Sequence, residues 1–236
     1  MQNIISENLA QVHAQMKAAC DLCSRTPESV HLLCVSKTKP ISMIKDAYAA
    51  GERHFGESYA LEAVDKIAAL KAEGFNDIVW HFIGPIQSNK TKHIAAHFDV
   101  VESVDRLKII ERLNDQRPDE CGPLKIMLQV NISHEEQKQG CEEEELPQLL
   151  ASASSLPKLT VIGLMGVARI DASHEELLAS FNRLRELKER YNTQYPELQE
   201  LSMGMTHDLE EAIAAGSTEV RIGTAIFGER EYHHKA

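Results

Sequence analysis

The sequence predicts a single (β/α)8 barrel of the TIM-barrel type, preceded by one extra helix. Short apolar runs alternate with longer segments of helical spacing, and this alternation repeats eight times. The 236 residues suffice for eight units, and no Pro/Gly/Ser-rich linker interrupts them. We therefore expect one domain over residues 1–236, with the leading helix within 1–26 and a tail at 229–236.

The leading helix is predicted from Ile4 to Leu22, because Ile5, Leu9 and Val12 begin an apolar face at helical spacing. Eight apolar runs then predict strands at 31–35, 54–56, 78–83, 98–101, 124–131, 160–165, 201–203 and 220–223. Segments of helical spacing predict helices at 42–50, 60–73, 90–96, 106–114, 142–151, 175–191 and 208–215.

Strict alternation of strands and helices implies parallel strands joined by right-handed crossovers. An open, doubly wound sheet is the alternative architecture. Its usual G-x-G-x-x-G fingerprint after the first strand is absent, because this chain reads S-K-T-K-P at 36–40. The closed barrel is therefore the favoured prediction.

The composition restricts the partners. Hydrophobic residues make up 43% of the chain, and 25 basic residues against 36 acidic ones give a net charge of -11. Nucleic acid and anionic membranes are therefore not expected partners. Five scattered cysteines favour reduced thiols, and the N-terminus shows neither a signal peptide nor a membrane span. These features predict a cytoplasmic protein.

Lys37 follows the first predicted strand, so it should lie at the barrel mouth, where active residues of such barrels collect. Partial burial and nearby cations such as Lys39 and Arg221 favour a neutral amine there. A neutral amine can form a Schiff base with an aldehyde. A purely structural lysine, with its ammonium in solvent or in a salt bridge, is the alternative interpretation.

The last two strand ends carry groups suited to an anion. The motifs S-M-G-M-T at 202–206 and R-I-G-T at 221–224 follow strands seven and eight, where such barrels often bind phosphate. Their glycines admit close backbone approach, and their hydroxyls can donate. These groups are Gly204, Gly223, Ser202, Thr206 and Thr224. With Lys37, they predict a pocket for a phosphate at one end and an aldehyde at the other.

Arg221 stands inside the last predicted strand, next to the phosphate motif. Its guanidinium could pair with the phosphate or donate to a ring nitrogen. An arginine that donates to a pyridine nitrogen leaves the ring unprotonated, which weakens the ring as an electron sink.

Eight motifs occur in order along nearly the whole chain. They are S-K-T-K-P at 36–40, H-F-G-E at 54–57, W-H-F-I-G-P-I-Q-S-N-K at 80–90, V-E-S-V-D at 101–105, Q-V-N-I-S at 129–133, G-L-M-G at 163–166, L-S-M-G-M-T-H-D at 201–208 and V-R-I-G-T-A-I-F-G at 220–228. Together they resemble the pyridoxal phosphate homeostasis protein family. The resemblance implies a fold type III barrel, like the N-terminal domain of bacterial alanine racemase, that binds pyridoxal 5'-phosphate (PLP).

By position, the resemblance implies that Lys37 holds PLP as a Schiff base and that Arg221 faces the pyridine nitrogen. It implies phosphate binding by Ser202, Gly223 and Thr224. The further pocket residues that it implies are His81, Met203 and Ser58. Ser58 departs from the family, which usually has asparagine in G-E-N-Y; serine is shorter and has no amide, so any contact that the asparagine makes near the cofactor is not implied here. The stretch 167–170 also differs from the family's proline-containing segment.

Two function classes follow from the resemblance. A racemase of the alanine racemase type needs a second base opposite the lysine, usually a tyrosine from another domain or subunit. The chain leaves only residues 229–236 beyond the last motif, and Tyr59 and Tyr232 are weak candidates. A non-catalytic protein of intracellular PLP (vitamin B6) homeostasis is therefore favoured. We expect a monomer whose partners are PLP and PLP-dependent apo-enzymes.

A metal protein is the third class weighed. It rests on His93 and His97, which are spaced one helical turn apart. No third ligand is apparent in the sequence, so we predict no metal site.

Overall fold

The computed structural model describes residues 3–136 and 139–230. Over those residues, eight parallel strands form a closed barrel in chain order, and β8 pairs with β1. The strands are β1 (His31–Val35), β2 (His54–Glu57), β3 (Val79–Phe82), β4 (Val100–Val104), β5 (Leu124–Gln129), β6 (Leu159–Met165), β7 (Glu200–Ser202) and β8 (Glu219–Ile222). The fold class predicted from the sequence is confirmed.

Helices connect the strands and cover the outside of the barrel. They are α1 (Ile4–Leu22), α2 (Ile41–Ala49), α3 (Ala60–Ala72), α4 (Thr91–His97), α5 (Leu107–Gln116), α6 (Leu146–Ser154), α7 (His174–Tyr191), α8 (Leu209–Ala214) and α9 (Thr224–Phe227). Among the described residues, no helix combines the length and apolar character needed to cross a membrane. The predicted tail at 229–236 lies outside the described residues from position 231 onward.

The leading helix α1 packs against α8 and α9, the last two helices, which flank the closing strand β8. The side chain of Asn3 caps it by accepting from the Ile5 N–H at 3.0 Å. Its apolar face packs against α8 and α9, and Asn8 donates through Nδ2 to the Ile226 carbonyl at 2.9 Å. The helix thus fixes α9, which directly follows the last strand.

The barrel has two kinds of core. Between sheet and helices, aromatic and aliphatic side chains such as Phe55, Trp80 and Phe181 are fully buried. Inside the barrel, Val100, Met127 and Met165 form a small separate apolar cluster. Many other barrels fill this space with branched aliphatic layers, whereas here the buried polar side chains of His81, Glu102, Glu219 and Arg221 share it. This polar interior reaches up to the strand ends and positions the site.

Several elements differ from the sequence prediction; β5 ends at Gln129, two residues earlier than predicted, and α6 begins at Leu146, four residues later. Strand β4 begins at Val100, two residues later than predicted, because Phe98 ends α4 and packs edge-to-face on Phe82. It continues through Glu102 and Ser103, whose polarity hid the strand in the sequence. The four-residue helix α9 was not predicted, since so short an apolar segment has no helical period.

Candidate functional site at the carboxyl ends of the strands

A cavity of about 800 Å³ opens at the carboxyl ends of the strands, where the βα loops meet. Residues from both the first and the last loops line it. They are Val35, Lys37, Ser58, Ile83, Gln129, Gln139, Met165, Val167, Met205, Thr206, His207, Arg221, Gly223, Thr224, Ala225 and Arg230. This volume is in the usual range for a small-molecule site.

Lys37 lies in this cavity wall, directly beyond the end of β1, and it is half-buried. Burial lowers the pKa of Lys37 below its usual range, and the positive charge of Arg230 acts in the same direction. The carboxylate of Glu57 opposes both effects. A larger fraction of this amine is therefore neutral and nucleophilic than in an exposed lysine.

Arg221 on β8 faces the same cavity, and only 5% of the residue is exposed. Its Nη1 donates to the Ser202 hydroxyl at 2.7 Å, and its Nη2 donates to the Gly166 carbonyl at 3.0 Å. These two bonds come from the ends of β7 and β6, so neighbouring strands hold the guanidinium plane in place. An arginine held this way presents a permanent cation to the cavity.

A chain of hydrogen bonds extends from Arg221 down through the barrel. Ser202 donates in a short hydrogen bond to Glu102, which also accepts from Nδ1 of His81 at 2.7 Å. Nε2 of His81 forms a further hydrogen bond with Nδ1 of His54, at 2.9 Å. His54 stands at the start of β2, so these hydrogen bonds connect the cavity at the carboxyl ends of the strands with the opposite end of the barrel.

Glu102 and Glu219 lie together in this interior, and their pKa values move apart. Burial disfavours ionisation of both, but the hydrogen bond from His81 and the charge of Arg221 bring the pKa of Glu102 below its usual range. Burial and the neighbouring Glu102 raise the pKa of Glu219 well above its usual range. One carboxylate thus balances Arg221, while Glu219 stays protonated.

This assignment predicts that Glu219→Gln becomes more stable relative to the wild type as the pH rises. Glu219 is protonated when folded but ionises above about pH 4.5 in the unfolded chain, so its stabilising contribution is complete at low pH and lost on raising the pH. Each pH unit over which it stays protonated costs the wild type about 1.4 kcal/mol, and glutamine avoids this cost. Urea unfolding at pH 5 and pH 8 should show the variant gaining relative to wild type at pH 8. An equal difference at both pH values would contradict the assignment.

Two of the residues predicted to suit a phosphate, Gly223 and Thr224, lie directly after β8 and line the cavity. Gly223 sits close to β1, since an added Cβ would lie 3.3 Å from both Cβ and the carbonyl oxygen of Val35. Ser58 lines the wall after β2, next to Gly84, where an added Cβ would lie 2.5 Å from the Ser58 carbonyl oxygen. Both glycines therefore permit close backbone approach.

Five of the eight predicted site residues share this cavity, namely Lys37, Ser58, Arg221, Gly223 and Thr224. The other three do not line it. Ser202 and His81 are buried beneath it, in the chain that supports Arg221, and Met203 is fully buried. The polar residues that the sequence interpretation missed are Gln129, Gln139, His207 and Arg230. Gln129 at the end of an apolar strand was a usable signal, whereas the loop residues offered none.

The two histidines spaced one turn apart on α4 do not join a ligand cluster. Nδ1 of His97 donates to the His93 carbonyl at 2.9 Å, a contact within the helix. In the part of the chain that the structure describes, the cluster of metal-type ligands is His81, Glu102 and Glu219, with atoms within 4.8 Å of one another. His81 and Ser202 hydrogen-bond to Glu102, and Ser202 and His31 hydrogen-bond to Glu219, which accounts for the clustering of these groups.

The fold and the site define a (β/α)8-barrel ligand-binding protein with a lysine and an arginine facing one cavity. Residues 8–231 match the family described as "Alanine racemase, N-terminal domain". A pyridoxal phosphate homeostasis protein of Escherichia coli is 49% identical over 236 residues, which is 99% of this chain and 100% of that protein. One of Pseudomonas aeruginosa is 50% identical over 228 residues, covering 97% and 96%. The chain belongs to the pyridoxal phosphate homeostasis protein family.

Solved structures agree with this assignment. PipY of Synechococcus elongatus with PLP bound is 37% identical, with a TM-score of 0.79 over 95% of this chain and 100% of that one. Alanine racemase from Corynebacterium glutamicum is 15% identical, with a TM-score of 0.69 over 96% of this chain and 60% of that chain. The second likeness shows a shared fold alone.

Proposed function

We propose that this protein binds PLP as a Schiff base on Lys37 and serves intracellular PLP homeostasis without catalytic turnover. The carrying observation is that one cavity holds the Lys37 amine, the Arg221 guanidinium and the Gly223–Thr224 loop. The names of its relatives and the PLP-bound PipY structure support the ligand.

The residues present fit this ligand group by group. The aldehyde of bound PLP supplies an electrophilic carbon, to which an amine can join as a C=N bond with loss of one water. Lys37 provides the amine, and its lowered pKa favours the reactive form. Arg221, held by Ser202 and the Gly166 carbonyl, would donate to the ring nitrogen. Gly223 and Thr224 would hold the phosphate through main-chain and hydroxyl donors.

Ser202, His81 and Met203 would then act from behind the cavity wall. Ser202 accepts from Arg221 and gives its single hydroxyl proton to Glu102, so its contribution to the ligand would pass through the guanidinium. His81 would act one step further away, through Glu102. Met203, fully buried, would shape the loop after β7 by packing.

A permanently charged arginine at the ring nitrogen suits storage. It donates a hydrogen bond but gives up no proton, so the ring withdraws electrons less strongly than a protonated pyridine. None of the described residues that line the cavity is a tyrosine, and Tyr59 is 46% exposed outside it. A racemase would need a second base facing Lys37, and His207 is the lining side chain that could supply it. Racemisation must therefore be part of the test.

The wider role belongs to the same proposal. A monomeric carrier would hold PLP, keep the free aldehyde concentration low and supply PLP-dependent apo-enzymes. All five cysteines are free thiols, which supports the expected cytoplasmic location.

Borohydride trapping tests this function. The protein is incubated with PLP, reduced with borohydride, digested, and mapped by mass spectrometry. We expect about one phosphopyridoxyl group per chain, on the peptide that contains Lys37. The unreduced complex, offered L-alanine and other amino acids, should racemise none of them faster than free PLP does. A label on another lysine would refute the site, and turnover above that control would refute the non-catalytic role.

A further inference from the structure

Lys37 sits in a tight turn that needs outside support. The Lys39 N–H donates to the Ser36 carbonyl at 3.0 Å, which closes a β-turn with Lys37 and Thr38 at its centre. Thr38 has φ +65°, the left-handed region that the third position of a type II turn requires. Glycine or asparagine usually fills that position, and a β-branched residue there is a strong outlier. Contacts from elsewhere must therefore hold this turn.

Lys66, on the inner face of α3, holds the first residue of the turn. Its ammonium donates to the Ser36 carbonyl at 2.9 Å and to Glu57 at 2.7 Å, and it forms an ion pair with Glu62 at 2.7 Å. Only 9% of the side chain is exposed. Ser36 in turn donates to the second oxygen of Glu57 at 2.9 Å. The residue before Lys37 is thus held through its carbonyl and its hydroxyl.

Glu62 holds the residue after Lys37. Its carboxylate accepts from the Thr38 N–H at 2.7 Å. The same oxygen contacts Lys66, one turn further along α3. The pair therefore contacts the main chain on both sides of Lys37, although neither side chain lines the cavity. A bond to a carboxylate is stronger than one to a neutral acceptor, which suits a strained residue.

We propose that Glu62 and Lys66 are positioning residues that hold the turn at 36–39, so that the Lys37 amine projects into the cavity. This inference rests on the proposed function, in which that amine bonds to PLP. Without the pair, the turn samples other conformations and the amine meets the aldehyde less often. The expected consequence is a slower covalent reaction at an unchanged site.

The test combines a loss and a rescue. Glu62→Ala removes the bond to Thr38, and because Glu62 is one-third exposed and Lys66 keeps Glu57, the barrel should fold. We expect covalent attachment of PLP to slow by about tenfold, the scale of one charge-assisted hydrogen bond. Adding Thr38→Gly should restore the rate to within about twofold, because glycine adopts positive φ without outside support. Stopped-flow absorbance measures both rates.

Glu73→Ala is the matched control, since Glu73 caps the same helix and pairs with a partly exposed lysine, Lys45. It should leave the rate unchanged. A wild-type rate in Glu62→Ala would overturn the proposal, and so would a slow rate that Thr38→Gly fails to restore.

A second readout separates this inference from the proposed function. Reductive methylation with formaldehyde and cyanoborohydride as the hydride donor, followed by peptide mapping, reports the reactivity of Lys37 without PLP. We expect methylation of Lys37 to be slower in Glu62→Ala and to return to the wild-type rate when Thr38→Gly is added. Methylation of Lys39 should be the same in all variants. If wild-type protein formed no adduct with PLP, the proposed function would fail while this readout still decided the role of Glu62. Equal methylation of Lys37 in all variants would overturn that role.

Discussion

Lys37→Ala is expected to remove the covalent PLP adduct completely, from about one equivalent per chain to background. Among the described residues, Lys37 is the lysine that lines the cavity, and it follows β1, the strand that pairs with the Arg221 strand β8. Absorbance spectra and intact mass after borohydride reduction measure the loss. Residual PLP should bind only reversibly, through Arg221 and the Gly223–Thr224 loop proposed to hold its phosphate.

The matched control is Lys39→Ala, in the same loop two residues away. Lys39 donates through Nζ to the Glu229 carbonyl at 2.6 Å and does not line the cavity. This variant should keep the full adduct and the wild-type spectrum. A reducible adduct that persists in Lys37→Ala, or disappears in Lys39→Ala, would show that the reactive amine has been assigned wrongly.

Glu102→Ala is expected to have the largest effect on stability. The carboxylate is fully buried, accepts from His81 and Ser202, and balances the charge of Arg221. Removing one member of a buried ionic network leaves the others unpaired, which costs about 3–5 kcal/mol. For a domain of this size, the melting temperature should fall by roughly 10 °C, as measured by circular dichroism.

Two variants control for this result. Glu111→Ala, on the exposed face of α5, should change stability by less than about 0.5 kcal/mol. Glu219→Gln, in the same buried cluster, should not destabilise at neutral pH, because Glu219 is already protonated. If Glu219→Gln and Glu102→Ala destabilised equally, the division of charge between the two carboxylates would be wrong.

The position and the partners of Glu102 could not be predicted from the sequence. It lies in V-E-S-V, where two polar residues interrupt an apolar run, so the strand was predicted to end too early. Its hydrogen-bond partner Ser202 is 100 positions away. Local spacing carries no information about a partner that distant, and only barrel closure brings the two side chains together.

The turn at 36–39 shows the same limit. The sequence placed Lys37 at a strand end, yet nothing in S-K-T-K-P indicates that Thr38 adopts a left-handed conformation. A glycine at position 38 would have indicated such a turn. The support comes from Glu62 and Lys66, which follow more than twenty residues later on the next helix but one.

By itself, the sequence determined the eightfold alternation, the closed barrel, and the lysine and arginine that share its mouth. Periodicity and strand ends are set by residues that are close in the sequence, so they can be predicted without knowing which distant side chains are in contact. Tertiary structure alone decided that Ser202 and His81 lie behind the cavity wall, that Glu102 and not Glu219 carries the charge, and that the charge of Arg230 lowers the pKa of Lys37. Burial and charge pairing depend on which distant side chains meet, and that is settled only when β8 closes on β1.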